Sequence, residues 1–334
     1  MDPVAALAFA RELIDVDSTT GTEQACGRLL SQRLTELGYA VAEQPVADGR
    51  FNVLATIETP TVVLSTHFDC VPPFFPSTLR DGRLYGRGAC DAKGILAAQV
   101  AASERLRAQE ERRVGLLFVV GEERGSDGAS AANNVAPGSR FLVNGEPTSS
   151  KLATGTRGIL RVKLRAHGRA GHSAAPHQFE SAIEKLVDAL VRLRELQLPT
   201  DPLFGETFYT VGIIEGGVAP NVVPAQASAE VMFRIVGDAA EVLAAAKTLE
   251  PLVDVEEVLR VPPVRLHTLP GMPAESFPFT TDIPLLSTWG APLLFGPGSF
   301  LVAHTDDEYL DVAEFDASID AYVRLVTALL SAPQ

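Results

Sequence analysis

Thr61-Val62-Val63-Leu64-Ser65-Thr66-His67-Phe68-Asp69-Cys70-Val71-Pro72 runs from an apolar stretch into a histidine and an aspartate two residues apart. Thr61 to Thr66 is continuous rather than alternating and rich in Val and Leu, the pattern of a short strand buried on both faces of a parallel sheet. Val114 to Val120 and Phe141 to Val143 repeat the pattern, and acids follow closely: Glu122 and Glu123 after the first, Glu146 after the second. Open α/β sheets bind ligands beyond the carboxyl ends of their strands. Polar residues placed just after several such strands therefore converge in one crevice.

Working outward, helices and strands alternate. Asp2 followed by Pro3 reads as an N-cap and a first helical position, and Thr22 to Leu37 is a helix stopped by Gly38. Strands are expected over Tyr39 to Pro45 and Asn52 to Glu58, and an Ala-rich helix over Ile95 to Gln109. The pattern changes from Gly155 to about Leu266. Strand Ile159 to Ala166, helix Ser181 to Leu196, strands Thr207 to Ile214 and Ala225 to Val236, helix Ala239 to Leu249 and strand Val253 to Arg260 follow in order, which is the β-α-β-β-α-β arrangement of a ferredoxin-like domain. The Pro/Gly-rich Pro262 to Pro278 reads as a loop, after which Thr281 to Trp289, a strand Ala291 to Phe295 and a helix Val312 to Leu330 resume the first pattern. The expected fold is α/β: a mixed, mostly parallel sheet with flanking helices in a metal-binding domain of residues 1–155 and 266–334, and an inserted α+β domain of residues 156–265.

The chain's 334 residues are long for one hydrophobic core, and 46% hydrophobic composition is enough to fill two. A net charge of −14 argues against a nucleic-acid partner, which requires a basic face to displace counterions. Cys26, Cys70 and Cys90 are an odd number without Cys-x-x-Cys spacing and are expected to be free thiols in a reducing cytoplasm. The N-terminus lacks the basic start and apolar core of a signal peptide, and no run approaches the ~20 apolar residues of a membrane helix.

His67, Asp91, the pair Glu122 and Glu123, Glu146 and His304 form a donor set of imidazole and carboxylate, the types that bind zinc and other first-row ions. Two histidines with three carboxylates can hold two ions roughly 3.5 to 4 Å apart, provided that one carboxylate bridges. Asp69 lies on the same side of the strand end as His67 and is placed to accept a hydrogen bond from its non-ligating nitrogen. Adjacent extended residues point opposite ways, so one glutamate of the pair can bind metal while the other faces the attacking water as general base. That division of labour suits amide hydrolysis. No Gly-x-Ser-x-Gly elbow or phosphate-loop lysine motif competes with it.

The segments His67-Phe-Asp69-Cys-Val-Pro, Gly88-Ala-Cys-Asp91-Ala-Lys-Gly94, Gly121-Glu122-Glu123, Gly145-Glu146-Pro-Thr148, Gly171-His172-Ser-Ala and Ala303-His304-Thr-Asp resemble the signature set of the M20 metallopeptidases, over nearly the whole chain and in order. The family includes acetylornithine deacetylase, succinyl-diaminopimelate desuccinylase, aminoacylase and carboxypeptidase G. The resemblance implies that Asp91 bridges two zinc ions, with cobalt an alternative. It implies that His67 and Glu146 complete one site, that Glu123 and His304 complete the other, that Asp69 orients His67 and that Glu122 is the base. It also implies that His172 stabilises the tetrahedral oxyanion, that Arg234 grips a substrate carboxylate, that the catalytic domain is zinc-peptidase-like, and that the inserted ferredoxin-like domain is a lid of the kind that often forms homodimers. The loop Gly216-Gly217-Val-Ala-Pro-Asn221 is flexible enough to present Asn221 to substrate. The expected activity is removal of the acyl group from an N-acyl amino acid, with N-acetylornithine the first substrate to try. The alternative is a di- or tripeptidase or carboxypeptidase acting on short peptides. A catalytically silent binding protein is disfavoured because the base and every ligand are present.

Overall fold

A computed structural model describes residues 1–47 and 49–333. Two compact units are present: Met1–Thr154 with Leu266–Glu275 and the chain from Thr281 onward, and Gly155–Arg265 with Ser276–Thr280.

The first unit is built on a six-stranded sheet in the order Ala40–Ala47, Arg50–Thr56, Val114–Val119, Val62–His67, Phe141–Asn144, Ala291–Leu294. The last four strands run parallel and the first two are antiparallel, so the sheet is mixed and mostly parallel as expected. Successive side chains leave a strand on opposite faces. Val62, Leu64, Leu116 and Phe118 enter a core shared with helices Pro3–Ile14, Gln24–Glu36, Lys93–Arg107 and Val312–Ser331. Val63, Leu117, Val119 and Leu142 face the other way, against Ala129, Ala132, Leu286 and Trp289. Both faces are covered, which is why these strands read as unbroken apolar runs. Truncating the fully buried Leu64 to alanine is expected to cost about 2–5 kcal/mol.

Local signals behave as their chemistry dictates at the helix ends. Asp2 Oδ1 accepts from the Ala5 N–H at 2.8 Å, capping the first helix with Pro3 at its start. The helix Lys93–Arg107 is buried along almost its whole length. A Cβ on Gly94 would lie 2.1 Å from the Ala89 carbonyl oxygen, so only glycine lets this helix start so close to the preceding turn.

The second unit carries a four-stranded antiparallel sheet in the order Phe208–Gly216, Gln226–Ile235, Gly158–His167, Asp254–Val261. Leu160, Val162, Leu164, Val231 and Phe233 alternate with more exposed residues and pack with Leu186, Ala189, Val242 and Ala246 of helices Ala182–Leu193 and Ala239–Lys247. Order and connectivity are those of a ferredoxin-like α+β fold.

Several elements depart from the sequence expectations. Pro262 to Pro278 is not wholly loop, since it holds the short strands Val264–Arg265 and Ala274–Phe277. Ser276–Thr280 groups with the second unit, where the Thr280 hydroxyl donates to the Arg157 carbonyl at 3.3 Å. A small sheet of Thr78–Arg80, Arg83–Tyr85 and Tyr309–Asp311 has strands too short for any periodicity to reveal. The chain contains no helix long and apolar enough to cross a membrane among the described residues.

Candidate metal centre

Four adjacent parallel strands deliver the candidate residues at their carboxyl ends. His67 is the last residue of its strand, Glu122 and Glu123 follow Val114–Val119, Glu146 follows Phe141–Asn144, and His304 lies in the segment after Ala291–Leu294. Asp91 comes from the turn before helix Lys93–Arg107. His67 Nε2 is 3.0 Å from Asp91 Oδ1, while His304 Nε2 is 3.2 Å from Asp91 Oδ2 and 3.0 Å from Glu123 Oε1. Asp91 thus stands between two imidazoles, one on each oxygen. Ligand atoms of His67, Asp91 and Glu123 all lie within 4.8 Å of one another.

The electrostatics match a site made for cations. Burial alone would raise the Asp91 carboxyl, but bonds from His304 and His67 carry it well below the usual carboxylate range. Burial would depress His67, yet Asp69, Asp91 and Glu146 hold it well above its ordinary value. Asp91 and Glu123 push His304 up to about 10. Burial raises Glu122 and Glu146, opposed by His67 and reinforced by neighbouring acids. Glu146 Oε1 is buried with no hydrogen-bond partner among the described residues. A buried carboxylate oxygen without a donor is costly unless a cation meets it. Imidazole nitrogen and carboxylate oxygen are a donor set that first-row divalent ions accept, so these residues fit a metal pair.

The family described as Peptidase family M20/M25/M40 matches residues 63–328. A probable carboxypeptidase of Aspergillus fumigatus is 36% identical over 97% of this chain and 86% of that protein. The chain belongs to peptidase family M20/M25/M40. A tripeptidase of Staphylococcus aureus has the same fold, with TM-score 0.83 at 20% identity over 99% of this chain and 100% of that one. A Bacillus subtilis protein described as a dinuclear metal binding peptidase from the M20 family shares the fold with TM-score 0.76 at 15% identity, over 99% of each chain. This M20 chain is therefore a metallopeptidase-family hydrolase acting on amide bonds.

One expectation about this M20 site needs correction, and another gains a further role. Glu122 and Glu123 are not extended neighbours, because they form the 3-10 turn Glu122–Arg124 behind Gly121 at φ 78°. Their different surroundings come from turn geometry rather than from strand alternation. The nearest acceptor for His67 Nδ1 is the Asp69 backbone carbonyl at 3.0 Å, with carboxylate Oδ1 further at 3.4 Å. The Asp69 carboxylate also accepts from the Glu122 N–H at 3.0 Å, the Glu123 N–H at 3.2 Å and the Thr20 hydroxyl at 2.8 Å. It fastens the turn that carries both glutamates.

In the second unit, Ser173 N–H donates to the Asn221 carbonyl at 3.2 Å, which brings His172 and Asn221 into neighbouring turns. His172 Nδ1 accepts from the Ala174 N–H at 3.1 Å, leaving Nε2 to carry the proton. This histidine closes its own turn and is not the cap of a following helix. Arg234 is half-buried, its Nη1 3.4 Å from the Thr280 hydroxyl, and forms no ion pair among the described residues. Burial lowers its pKa.

Sequence reading missed Thr20, Asp282 and Glu308 in this M20 chain. Thr20 and Asp282 sit in Ser-Thr-Thr and Thr-Thr-Asp stretches that look like ordinary turns. Burial pushes the Asp282 carboxyl up to about 6, against the pull of the Ser126 hydroxyl. Glu308 is fully buried yet ends an Asp-Asp-Glu run that reads as a solvated face. Its signal was its offset, four residues after His304.

Proposed function

We propose that this M20 chain hydrolyses the amide bond on the amino side of a residue with a free α-carboxylate. It would release that residue from an acyl group or from the end of a short peptide. Arg234 carries the reading: a half-buried guanidinium without an acidic partner among the described residues is a ready receptor for a carboxylate. An N-acyl amino acid, with N-acetylornithine tried first, and a peptide C-terminus present this same group. The probable carboxypeptidase among its relatives favours the peptide reading as a second candidate.

Two zinc ions, or cobalt in their place, would be held by His67, Asp91 and Glu146 and by Asp91, Glu123 and His304, with Asp91 shared. Such ions lower the pKa of water toward about 7 and polarise a carbonyl. Glu122 takes the proton of the attacking water as its oxygen joins the carbonyl carbon, then delivers it to the departing nitrogen as the C–N bond breaks. The products are a carboxylate and an amine. His172 Nε2–H and Asn221 are assigned to the substrate oxygen, where donors preorganised for developing charge are worth most. Asp69 orients the base by holding its turn.

A second copy of the chain is the proposed protein partner. Phe208–Gly216 is an outer strand of its sheet, and Ile213 and Ile214 are exposed along it. Ile183, Val187 and Val191 form an exposed stripe at helical spacing in the same unit. An open strand edge can pair with its own copy about a two-fold axis. The three buried free thiols fit a cytoplasmic setting. The deciding experiment is a kinetic screen of the metal-loaded chain over N-acetylornithine, other N-acyl amino acids, N-blocked and free dipeptides, and the C-terminal amide of each. Hydrolysis of acids with little turnover of amides is expected. Equal rates on both would end the carboxylate reading.

A further inference from the structure

Glu308 is fully buried and its carboxylate is crowded with donors. Oε1 accepts three backbone N–H groups, those of Gly88, Cys90 and Asp91, each at 3.0 Å. Oε2 accepts from Arg87 Nη1 at 2.8 Å, and Arg87 is itself almost completely buried. The Glu308 main-chain carbonyl also accepts from the Gly86 N–H at 3.2 Å. The pairing of Tyr309–Asp311 with Arg83–Tyr85 explains this proximity, because it lays residue 308 beside the chain that leads to Asp91.

We infer that Glu308 is a positioning residue for the metal centre, clasping the Asp91 turn and setting the distance between Asp91 and His304. This rests on the reading of Asp91 and His304 as ligands. Three N–H groups directed at one oxygen fix the backbone of residues 88 to 91, and the Asp91 side chain follows its backbone. His304 lies only four residues before Glu308, so one anchor ties together two ligands that are 213 positions apart in the chain. The roles of the two oxygens differ. Oε1 holds the ligand-bearing turn, whereas Oε2 and Arg87 neutralise a charge that would otherwise be costly to bury.

The test uses the full chain, stripped of metal and titrated with cobalt(II), with binding, the visible spectrum of the bound ion and thermal melting followed together. Wild type is measured first: failure to bind cobalt would remove the ligand reading itself, independently of Glu308. Glu308→Gln, which puts a neutral amide in place of the carboxylate that gathers the three N–H groups, is expected to weaken cobalt binding about 10- to 100-fold, the usual worth of a residue that supports a ligand. Its visible spectrum should change as well. Arg87→Met leaves the carboxylate and its three backbone donors in place. It is expected to lower the melting temperature while cobalt affinity stays within about threefold of wild type, well below the roughly 10- to 100-fold expected for lost ligand support. Glu308→Asp, one methylene shorter, is the reserve variant and should show the same loss of affinity. Wild-type affinity and spectrum in a folded Glu308→Gln would overturn the inference, as would equal effects of the Glu308 and Arg87 variants. Failure of both Glu308 variants to fold would also overturn it, by making Glu308 a residue of the fold alone.

Discussion

Glu122 and Glu123 are adjacent in the chain but face different groups. Glu123 Oε1 lies 3.0 Å from His304 Nε2, while burial and the nearby acids Asp282 and Glu123 raise the Glu122 carboxyl well above its ordinary range, against the pull of His67. A raised carboxyl beside a reacting water suits a proton shuttle. Glu122→Gln is expected to lower kcat by about 100- to 10,000-fold with metal content hardly changed. Glu123→Gln should instead weaken metal binding and lose activity that excess zinc partly restores, because an amide is a poorer ligand than a carboxylate. Metal analysis beside single-substrate kinetics separates the two, and normal turnover of a fully metallated Glu122→Gln would remove the base from the mechanism. His304 adds a prediction about pH. Its imidazole is raised to about 10 in the metal-free chain, so at pH 6 to 8 it carries a proton that a metal ion must displace. Zinc affinity should therefore rise with pH across that range, with proton release visible as a dependence of binding heat on the buffer's ionisation enthalpy. Binding heats identical in all buffers would contradict a protonated ligand.

At the scale of the element, the turn Gly121–Arg124 does the most for its size. Gly121 adopts φ 78°, and a Cβ there would lie 1.9 Å from Asp127 Oδ1, which is itself held by Arg50. Gly121→Ala is expected to cost about 1–2 kcal/mol for the left-handed backbone alone, and more because the Arg50–Asp127 pair must move. Denaturant melts should show this loss together with a fall in kcat, since the same turn carries the proposed base. An alanine variant with wild-type midpoint and rate would mean that the turn tolerates a side chain. The sheet strands were legible because burial on both faces leaves an apolar run, as Val62 to Leu64 and Leu116 to Val119 show. The turns between them were not. Residues 122 and 123 looked like a strand continuation because no sequence signal separates an extended pair from one 3-10 turn. Glu308 looked solvated because three of its partners are backbone N–H groups, which composition does not record, and the fourth, Arg87, lies 221 positions away in the chain.

For the whole molecule, a chain of net charge −14 gathers five carboxylates, Asp69, Asp91, Glu122, Glu123 and Glu146, where four parallel strands end. Cations relieve that concentration of charge. The ligand-bearing order of the chain was readable because most of the candidate ligands lie at or just after strands of one sheet, but the proposed substrate reading rests on Arg234, whose lack of an acidic partner among the described residues appears only in three dimensions. Arg234→Lys should already be damaging, because an ammonium cannot reproduce a two-pronged grip on a carboxylate, and kcat/KM for acid substrates should fall toward that for amides. An unchanged preference for acids would free Arg234 of that role. Ile214→Lys on the outer strand should shift the chain to monomer in light scattering, and a dimer that persists would place the interface elsewhere. The most direct test of the metal-dependent account is titration of the chelated, verified metal-free chain with zinc while bound metal and hydrolysis are measured together. About two ions per chain are expected, with full activity only when both are bound; full activity in the verified metal-free chain would contradict the account.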